Sequence, residues 1–422
     1  MEILRKIGSF CQIPSRKFWC QFSLLAALSF PMWQSHARSA DTTQEVMFVG
    51  NNWDGTVTVI ESEGSYAQIG RINGIPDYEE RLKEIKRNPI NYIFFMGIRH
   101  TVGEGNDQFV DDMYSTPDGS ALVVSRPSFA DVVSISLETG AINWRFPVSG
   151  YRADHMAVSP DGLEVAISAS TGNVVHLLDI YTGEEKGRYE TGSKPHENKY
   201  FGDGRYIFTA SIGNVNTPLD ANWLDFTKGN RKVTVYDREL GEIAYELDMR
   251  ERLDDFGYED LSDSIRPYVF SPDENIVYFQ VSFFNGIVEY NMASDKITRV
   301  IELPAGAAPE KRTDYVNDSR HHGLSINPEG TKLCVAGTMD EYATIVDIST
   351  GKTGPLVPAG KPYWATVSSD GTACVLSESE NDVVTVLDFA TGEKIISVDV
   401  GNHPQRVRLG FIPRGWVSPS QF

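Results

Sequence analysis

A short segment that ends in a tight turn recurs along this chain at an interval of about forty residues. In the clearest copy, residues 152–162, the run Arg-Ala-Asp-His-Met-Ala-Val precedes Ser-Pro-Asp-Gly. Proline presets the backbone angle that such a turn needs, and glycine accepts the positive one. Further copies, complete or degenerate, occupy residues 110–119, 194–204, 264–273, 320–330, 361–371 and 402–410. The chain is therefore expected to fold as a series of similar units.

A second turn motif, Asp-x-x-Thr-Gly, follows several copies and divides each unit further. It stands at residues 179–183, 347–351 and 388–392. Two turns in a unit of about forty residues imply three or four antiparallel strands. That period is typical of a β-propeller blade, whereas a helical solenoid would show an apolar period of 3.6 residues. The sequence predicts an all-β fold.

The two ends of the repeat region are incomplete in complementary ways. Residues 45–72 contain middle strands of a blade but no inner strand, and residues 404–412 contain an inner strand alone. Pairing them would close the ring and remove two exposed sheet edges. We therefore predict a single domain over residues 40–422 with seven blades, six of them starting near residues 110, 151, 194, 264, 319 and 361.

The first 39 residues have the pattern of a signal peptide. Basic residues up to Lys17 precede an apolar run at residues 18–30, and small residues follow at 35–39. The run is too short to span a bilayer, which predicts a periplasmic or secreted protein with no transmembrane span after cleavage. An uncleaved anchor is the alternative. Cleavage would remove five basic residues and one acid and change the formal net charge from −20 to −24, which disfavours binding to nucleic acid.

Two cysteines, Cys334 and Cys374, remain after the predicted cleavage. They fall in neighbouring blades, just after the turn motif of each. Because packed sheets lie about 10 Å apart, the spacing exceeds the usual reach of a disulfide. The sequence predicts buried free thiols.

The copies at residues 154–162 and 361–371, each followed by Asp-x-x-Thr-Gly, resemble the YncE-like (YVTN) seven-bladed β-propeller family. They are more distantly similar to the heavy chain of methylamine dehydrogenase and to the propeller of nitrous oxide reductase. The resemblance covers about residues 45–413, but the Tyr-Val-Thr-Asn signature itself is absent. It implies a fold and not a reaction, because propellers carry many functions.

In propellers, the first strand of each blade lines the central channel, so equivalent positions on these strands should form a ring around its mouth. Six positions before each turn proline, and at the matching place in the last copy, every residue is polar. These residues are Asp111, Asp154, His196, Arg266, His322, Tyr363 and Gln405. The flanking positions hold His155, His321 and Arg406. Because side chains alternate along a strand, we do not expect His155 and His196 both to face the channel.

This ring predicts a small-molecule site at the channel mouth. We assign candidate catalytic roles to His196, His322, Tyr363 and Arg266, with His196 and His322 as candidate ligands of Cu or Zn. The candidate binding residues are Asp111, Asp154, His155, His321, Gln405 and Arg406. The ligand would be polar or anionic, and the reaction of lyase, isomerase or metal-oxidase type. Three alternatives remain open: a hydrated channel without a site, a scaffold for a protein partner, and an electron-transfer subunit.

Four insertions are expected on the same face as this ring. They cover residues 73–110, 213–231, 250–263 and 304–318. Their contents suit a lid, because residues 78–86 have a helical pattern and the others supply aromatic and basic groups. The groups in question are Trp223, Phe226, Arg252, Lys311 and Arg312. Residues 250–255 are expected to form a charged turn.

Overall fold

The structure, a computed structural model, describes residues 42–215, 222–309, 311, 314, 315, 317 and 319–419. The predicted signal peptide and Arg312 lie outside the described residues, and so does the side chain of Trp223. Within the described part, seven antiparallel sheets of four strands form a β-propeller. The predicted all-β fold and blade number are confirmed.

Each blade contains four strands, and six of the blades take theirs consecutively from the chain. Blade 1 begins with β1 (Thr43–Asn51), β2 (Thr56–Glu61) and β3 (Gln68–Asn73). Blade 2 contains β4 (Asp112–Ser115), β5 (Ala121–Arg126), β6 (Asp131–Ser136) and β7 (Ile142–Pro147). Blade 3 contains β8 (Ala153–Val158), β9 (Glu164–Ala169), β10 (Val174–Asp179) and β11 (Glu185–Glu190). Blade 4 contains β12 (Pro195–Phe201), β13 (Tyr206–Ser211), β14 (Val233–Asp237) and β15 (Glu242–Leu247).

The second half of the ring repeats this plan. Blade 5 contains β16 (Ile265–Phe270), β17 (Ile276–Val281), β18 (Gly286–Asn291) and β19 (Lys296–Glu302). Blade 6 contains β20 (Gly323–Ile326), β21 (Lys332–Gly337), β22 (Tyr342–Asp347) and β23 (Val357–Pro358). Blade 7 contains β24 (Pro362–Val367), β25 (Ala373–Glu378), β26 (Val383–Asp388) and β27 (Lys394–Asp399). The last strand, β28 (Pro404–Pro413), returns to blade 1.

Helices occur in the insertions. The first insertion contains α1 (Tyr78–Arg87), as the sequence predicts, and also α2 (Pro89–His100), which was not predicted. A third helix, α3 (Met249–Phe256), stands where a charged turn was expected, and that expectation is wrong. The Asp248 side chain accepts a hydrogen bond from the Arg250 amide and so caps this helix. Among the described residues, no helix has the length and apolarity needed to cross a membrane.

The ring closes through strand β28. It pairs antiparallel with β1 from Thr43 opposite Pro413 to Asn51 opposite Pro404. Beyond the strand, the indole nitrogen of Trp416 donates to the Leu137 carbonyl of blade 2 at 2.6 Å. The predicted closure is confirmed, and the N-terminal and C-terminal strands share one sheet.

A stacked pair of rings supports the same closure. The His403 imidazole lies 3.7 Å from the Trp53 indole, centroid to centroid, with the two planes 3° apart. The Asn52 amide also donates to the His403 carbonyl at 3.1 Å. Because burial, and then the charge of Lys361, disfavour its protonated form, the pKa of His403 falls to about 3. The histidine is therefore neutral in the folded protein at neutral pH.

The turn motif also connects neighbouring blades. A Cβ atom on Gly162 would lie only 2.5 Å from Cγ of Pro117, the turn proline of the preceding blade. The same contact of a turn glycine with the preceding turn proline recurs at Gly204 with Pro160, Gly330 with Pro272, and Gly371 with Pro328. Side chains larger than hydrogen would push these turns apart. The glycine therefore serves both the turn and the packing of blade on blade.

One pair of neighbours departs from this rule at both positions. Blade 4 has Gly202 where blades 2, 3, 5 and 6 have proline, and blade 5 has Glu274 where blades 2, 3, 4, 6 and 7 have glycine. Glu274 adopts the left-handed conformation, with φ of 56°, and its carboxylate accepts a hydrogen bond from the Gly202 amide at 2.7 Å. A polar contact thus replaces the packing of proline on glycine.

Cys334 and Cys374 form a disulfide, so the prediction of free thiols is wrong. The cysteines stand on β21 and β25, the second strands of blades 6 and 7. Their Cα atoms are 6.3 Å apart. Blades in a ring diverge from a common axis, so they lie closer together near the channel than the 10 Å spacing of parallel packed sheets.

Replacement of both cysteines by alanine should lower the free energy of unfolding. The bond closes a segment of 40 residues, and the chain-entropy account gives about 4 kcal/mol for a loop of that size. Urea unfolding measures this difference. The wild type is compared with and without reductant, and the double variant is measured beside it. Equal midpoints for the oxidised wild type and the variant would contradict the assignment.

Acidification should destabilise the wild type more than His403→Phe. The folded pKa of His403 is about 3, against about 6.5 in an unfolded chain. Its contribution to stability is therefore complete above pH 6.5 and is lost as the pH falls towards 3, at up to about 1.4 kcal/mol per pH unit. Phenylalanine keeps the ring but cannot titrate. Between pH 7.5 and 4, the urea midpoint of the wild type should therefore fall further than that of His403→Phe, and midpoints that fall in parallel would refute this account.

Candidate functional site

The inner strands carry an irregularity at the place where the ring of polar residues was predicted. In five blades the register between first and second strand shifts by one residue, which defines a β-bulge. On β8 the shift falls between Ala153 and Met156, and on β12 between Pro195 and Asn198. A bulge interrupts the alternation of side chains and re-aims them. Two consecutive residues of one strand can then face the channel.

The bulges fall on the candidate site residues. Six of the seven predicted ring positions, together with His155, line one small cavity of about 30 Å³. The ring residues are Asp111, Asp154, His196, Arg266, His322 and Tyr363. The expectation that His155 and His196 do not both face the channel is wrong, because the bulge turns His155 inward. A volume of this size admits an ion or one to two water molecules.

Three imidazoles from three blades meet at this cavity. His155, His196 and His322 each offer a ring nitrogen, and these nitrogens lie within 4.8 Å of one another. The ring centroids of His155 and His196 are 3.7 Å apart, and those of His196 and His322 are 5.3 Å apart. Burial, followed by the charges of neighbouring groups that include Arg406, lowers the pKa of each ring well below its usual value. The three rings are therefore neutral, with lone pairs free to bind a cation.

Glu197 orients His155. Its Oε2 lies 2.6 Å from Nδ1 of the imidazole, so Nδ1 carries the proton and donates it. Burial raises the pKa of Glu197, while the charge of Lys199, 3.5 Å away, opposes that shift. The remaining nitrogen, Nε2, then presents its lone pair to the cavity. A carboxylate behind a histidine is the usual support of a metal-binding imidazole.

Two carboxylates face the same nitrogen. Oδ2 of Asp111 lies 4.0 Å from Nε2 of His155, and Oδ1 of Asp154 lies 3.8 Å from it. Both oxygens are buried, and neither accepts a hydrogen bond within the described part of the chain. Burial raises the pKa of Asp154 to about 7, although its ion pair with Arg152 opposes this. Two carboxylate oxygens therefore approach the same imidazole nitrogen from different strands.

Arg406, on the closing strand β28, is fully buried. Its guanidinium group packs over the rings of Trp364 and Tyr363, at 4.5 and 5.3 Å from their centroids. None of its nitrogens donates a hydrogen bond within the described residues, and its approach to Asp111 is 3.9 Å. A buried guanidinium without acceptors is costly. Such groups are retained mostly where a ligand uses them.

Arg266 and Tyr363 complete the wall of the cavity. The Arg266 guanidinium donates to the Ser282 hydroxyl at 3.0 Å and to the Asn317 carbonyl, which belongs to the last insertion. The Tyr363 ring lies 4.2 Å from that of His322. Burial raises the pKa of Tyr363, so its hydroxyl keeps its proton at neutral pH.

Besides Arg406, two predicted binding residues do not line the cavity. His321 points into blade 6, where its Nε2 lies 2.8 Å from Asp340, which also binds Arg320. The Gln405 side chain accepts a hydrogen bond from Asn52 at 2.6 Å and supports the closing strand. Both are buried structural groups in this fold.

The insertions gather over the cavity, as expected. Val102 from the first insertion and Asn317 from the last both line it, together with Val215 from the insertion in blade 4. Arg231 forms an ion pair with Asp263 at 2.5 Å, which connects two more insertion ends. The looped face of the propeller therefore covers the channel mouth.

Sequence reasoning missed Glu197 and Arg152 as members of the site. Glu197 follows His196 directly, and Arg152 stands two residues before Asp154. Strict alternation would turn Glu197 away from the channel side. One sequence signal for these bulges is available, namely a proline at the start of the inner strand. Lys194, Lys361 and His403 each precede such a proline and have positive φ, and the strands that follow them all carry a bulge.

A scan of family models and a search of curated proteins both find no match for this chain. Among solved structures, the chain is similar to "Kuenenia stuttgartiensis Hydrazine Synthase", with a TM-score of 0.57 and 16% sequence identity. The match covers 82% of this chain and 93% of that chain. At this identity the similarity supports the β-propeller fold alone. Membership of the YncE-like family stays a prediction.

Arg406→Leu and Arg408→Leu should change stability in different ways, although both positions stand on β28. Arg408 donates to both oxygens of the buried Asp112, at 2.8 and 2.7 Å, so its loss should cost about 3–5 kcal/mol. Loss of Arg406 removes a buried charge without hydrogen bonds and should leave the free energy of unfolding unchanged or raised. Urea unfolding measures both. A large loss for Arg406→Leu would indicate a structural role.

Proposed function

We propose that this protein is a metal-dependent propeller in which His155, His196 and His322 bind one transition-metal ion. The single observation that carries the proposal is the convergence of three neutral imidazole nitrogens, within 4.8 Å of one another, in a buried channel. Imidazole ligands suit Zn and Cu. The function would be the binding and conversion of a small molecule at that ion.

Unpartnered atoms around the cavity support the same proposal. Nδ1 of His196, Nδ1 of His322, Oδ2 of Asp111 and Oδ1 of Asp154 are all buried and have no hydrogen bond among the described residues. Buried polar atoms are nearly always paired, so several orphans in one place point to a missing partner. The three imidazoles form one group of converging ligand atoms, and Asp111, Asp154 and His155 form a second, so a cation held by the imidazoles would lie beside both carboxylates.

The groups beside the ion favour chemistry of the lyase or isomerase type on an anionic molecule. Three protein ligands leave a position open, as in catalytic zinc sites. Arg266 lines the cavity and would stabilise negative charge on the molecule bound at the ion, and Tyr363 keeps a proton that it can donate. Copper instead of zinc would favour the oxidase type.

Export is a second part of the proposal. The disulfide between Cys334 and Cys374 supports it, because such bonds persist in oxidising compartments and are rare in the cytosol. The leader pattern at residues 1–39 supports the same location. The mature protein would be periplasmic or secreted.

Purified mature protein, expressed with Zn and Cu in the medium, should contain about one equivalent of one of these metals. His155→Ala and His322→Ala should each remove most of it, because two imidazoles hold an ion far less tightly than three. Elemental analysis gives the stoichiometry. His321→Ala is the matched control, since its imidazole is bound to Asp340 outside the cavity, and it should retain the metal.

Glu197→Gln tests the support of His155 without removal of a ligand. Loss of such a carboxylate typically lowers metal affinity about 10–100-fold. Competition with a chromophoric chelator measures the change. The proposal is wrong if wild-type protein holds less than about 0.1 equivalent of any transition metal, or if His155→Ala and His321→Ala hold equal amounts.

A further inference from the structure

A second, larger cavity adjoins the candidate metal centre. Its volume is about 290 Å³, and it lies between helix α2 and the starts of blades 3 and 4. We call it the vestibule. It shares five lining residues with the smaller cavity, namely Val102, Arg152, Asp154, Ile212 and Val215. A molecule in the vestibule would therefore extend towards the imidazoles.

The walls of the vestibule divide into an apolar part and a cationic part. Helix α2 contributes Ile93, Phe94 and Ile98, and Ile212 and Val215 add further apolar surface. Ile93 and Phe94 remain 66% and 39% exposed, although both are large apolar side chains. Apolar surface that stays exposed inside a concave cavity is typical of a binding site.

The cationic part consists of Arg152 and Lys194. Arg152 forms an ion pair with Asp154, so Lys194 supplies the excess positive charge. Both side chains line the same cavity, so an anionic group bound there would meet two cationic side chains.

Helix α2 is held in position over the vestibule. The Phe94 ring stacks on Tyr151 with centroids 3.7 Å apart and planes 5° apart. At the end of the helix, Arg99 donates to Asp107 at 2.7 Å. The following loop reaches blade 7, where Lys361 lies 3.3 Å from Glu104. The apolar wall is thus fixed by contacts at the middle of the helix and at its C-terminal end.

We propose that the substrate is an organic acid with an apolar chain, whose chain occupies the vestibule while its carboxylate meets Lys194 and Arg152 beside the metal centre. This inference rests on the proposed function and specifies its substrate class. It follows from the composition of the walls: helix α2 supplies apolar surface, and Lys194 and Arg152 supply cations at the starts of blades 4 and 3.

Straight-chain carboxylates from acetate to octanoate test this inference on the full mature chain loaded with zinc. Affinity should rise by about fourfold for each added methylene until the vestibule is full, because each buried methylene contributes a constant amount. Hexan-1-ol should bind at least tenfold more weakly than hexanoate, since it lacks the charge. Isothermal titration calorimetry measures both series.

Gly97→Phe should block the vestibule without disturbing the fold. Gly97 lines the cavity, and a Cβ atom there would meet nothing within 4 Å. The variant should bind acetate as the wild type does but lose the dependence on chain length. Ile90→Phe is the matched control, because Ile90 is 55% exposed on the same helix and does not line the vestibule.

The outcomes separate this inference from the proposed function. Wild-type protein that holds its metal but binds all the acids equally would overturn the vestibule proposal and leave the metal centre intact. The same follows if Gly97→Phe and Ile90→Phe respond alike to chain length. A third outcome is wild-type protein that takes up no metal but still shows a chain-length dependence that Gly97→Phe abolishes. That result would overturn the metal centre and retain the acid-binding cavity.

Discussion

The pairing of β28 with β1 determines where every other element can lie. It joins the two ends of the chain in one sheet, so seven blades share a single axis and no inner strand is left unpaired. Because the inner strands then converge, residues more than two hundred positions apart can meet in the channel, as Asp111 and Arg406 do at 3.9 Å. The same strand supplies Arg406 itself. Closure and the candidate site therefore depend on one set of backbone hydrogen bonds.

The bulges in the inner strands bring additional polar side chains into the channel. A regular strand would offer one side chain per two residues to the channel, and its neighbour would pack between blades. At the bulge on β8, however, both Asp154 and His155 reach the cavity. Adjacent acids, imidazoles and guanidinium groups then lie close together in a buried space. Their unpartnered atoms are a cost in stability, of the kind that functional sites carry.

Much of the fold could be predicted from the sequence, because turn motifs and their spacing are local signals. Blade number, the closing strand and helix α1 are all encoded in this way. The disulfide between Cys334 and Cys374 was not predictable from a fixed sheet spacing, because the distance between blades depends on how far a residue lies from the axis. Helix α2 was not predicted, because its exposed apolar residues do not follow the usual amphipathic pattern of a surface helix.

For the site, position in the repeat predicted six residues of one cavity, since equivalent positions in a ring share a height along the axis. It could not predict which neighbour of each would also turn inward. His155 turned inward through the bulge on β8, and a bulge depends on tertiary packing as well as on the local sequence. His321 and Gln405 show the reverse case, because a nearby Asp340 or Asn52 binds each of them outside the cavity.

The contact between turn glycine and preceding turn proline makes adjacent repeats interdependent. Where blade 4 carries Gly202 in place of proline, blade 5 carries Glu274 in place of glycine, and the two restore a contact of another kind. A repeat transplanted singly from one place in the ring to another would bring only half of each junction. Segments of two or more neighbouring repeats would keep the junctions inside them, so rearrangement of this protein should be tolerated better with such segments than with single repeats.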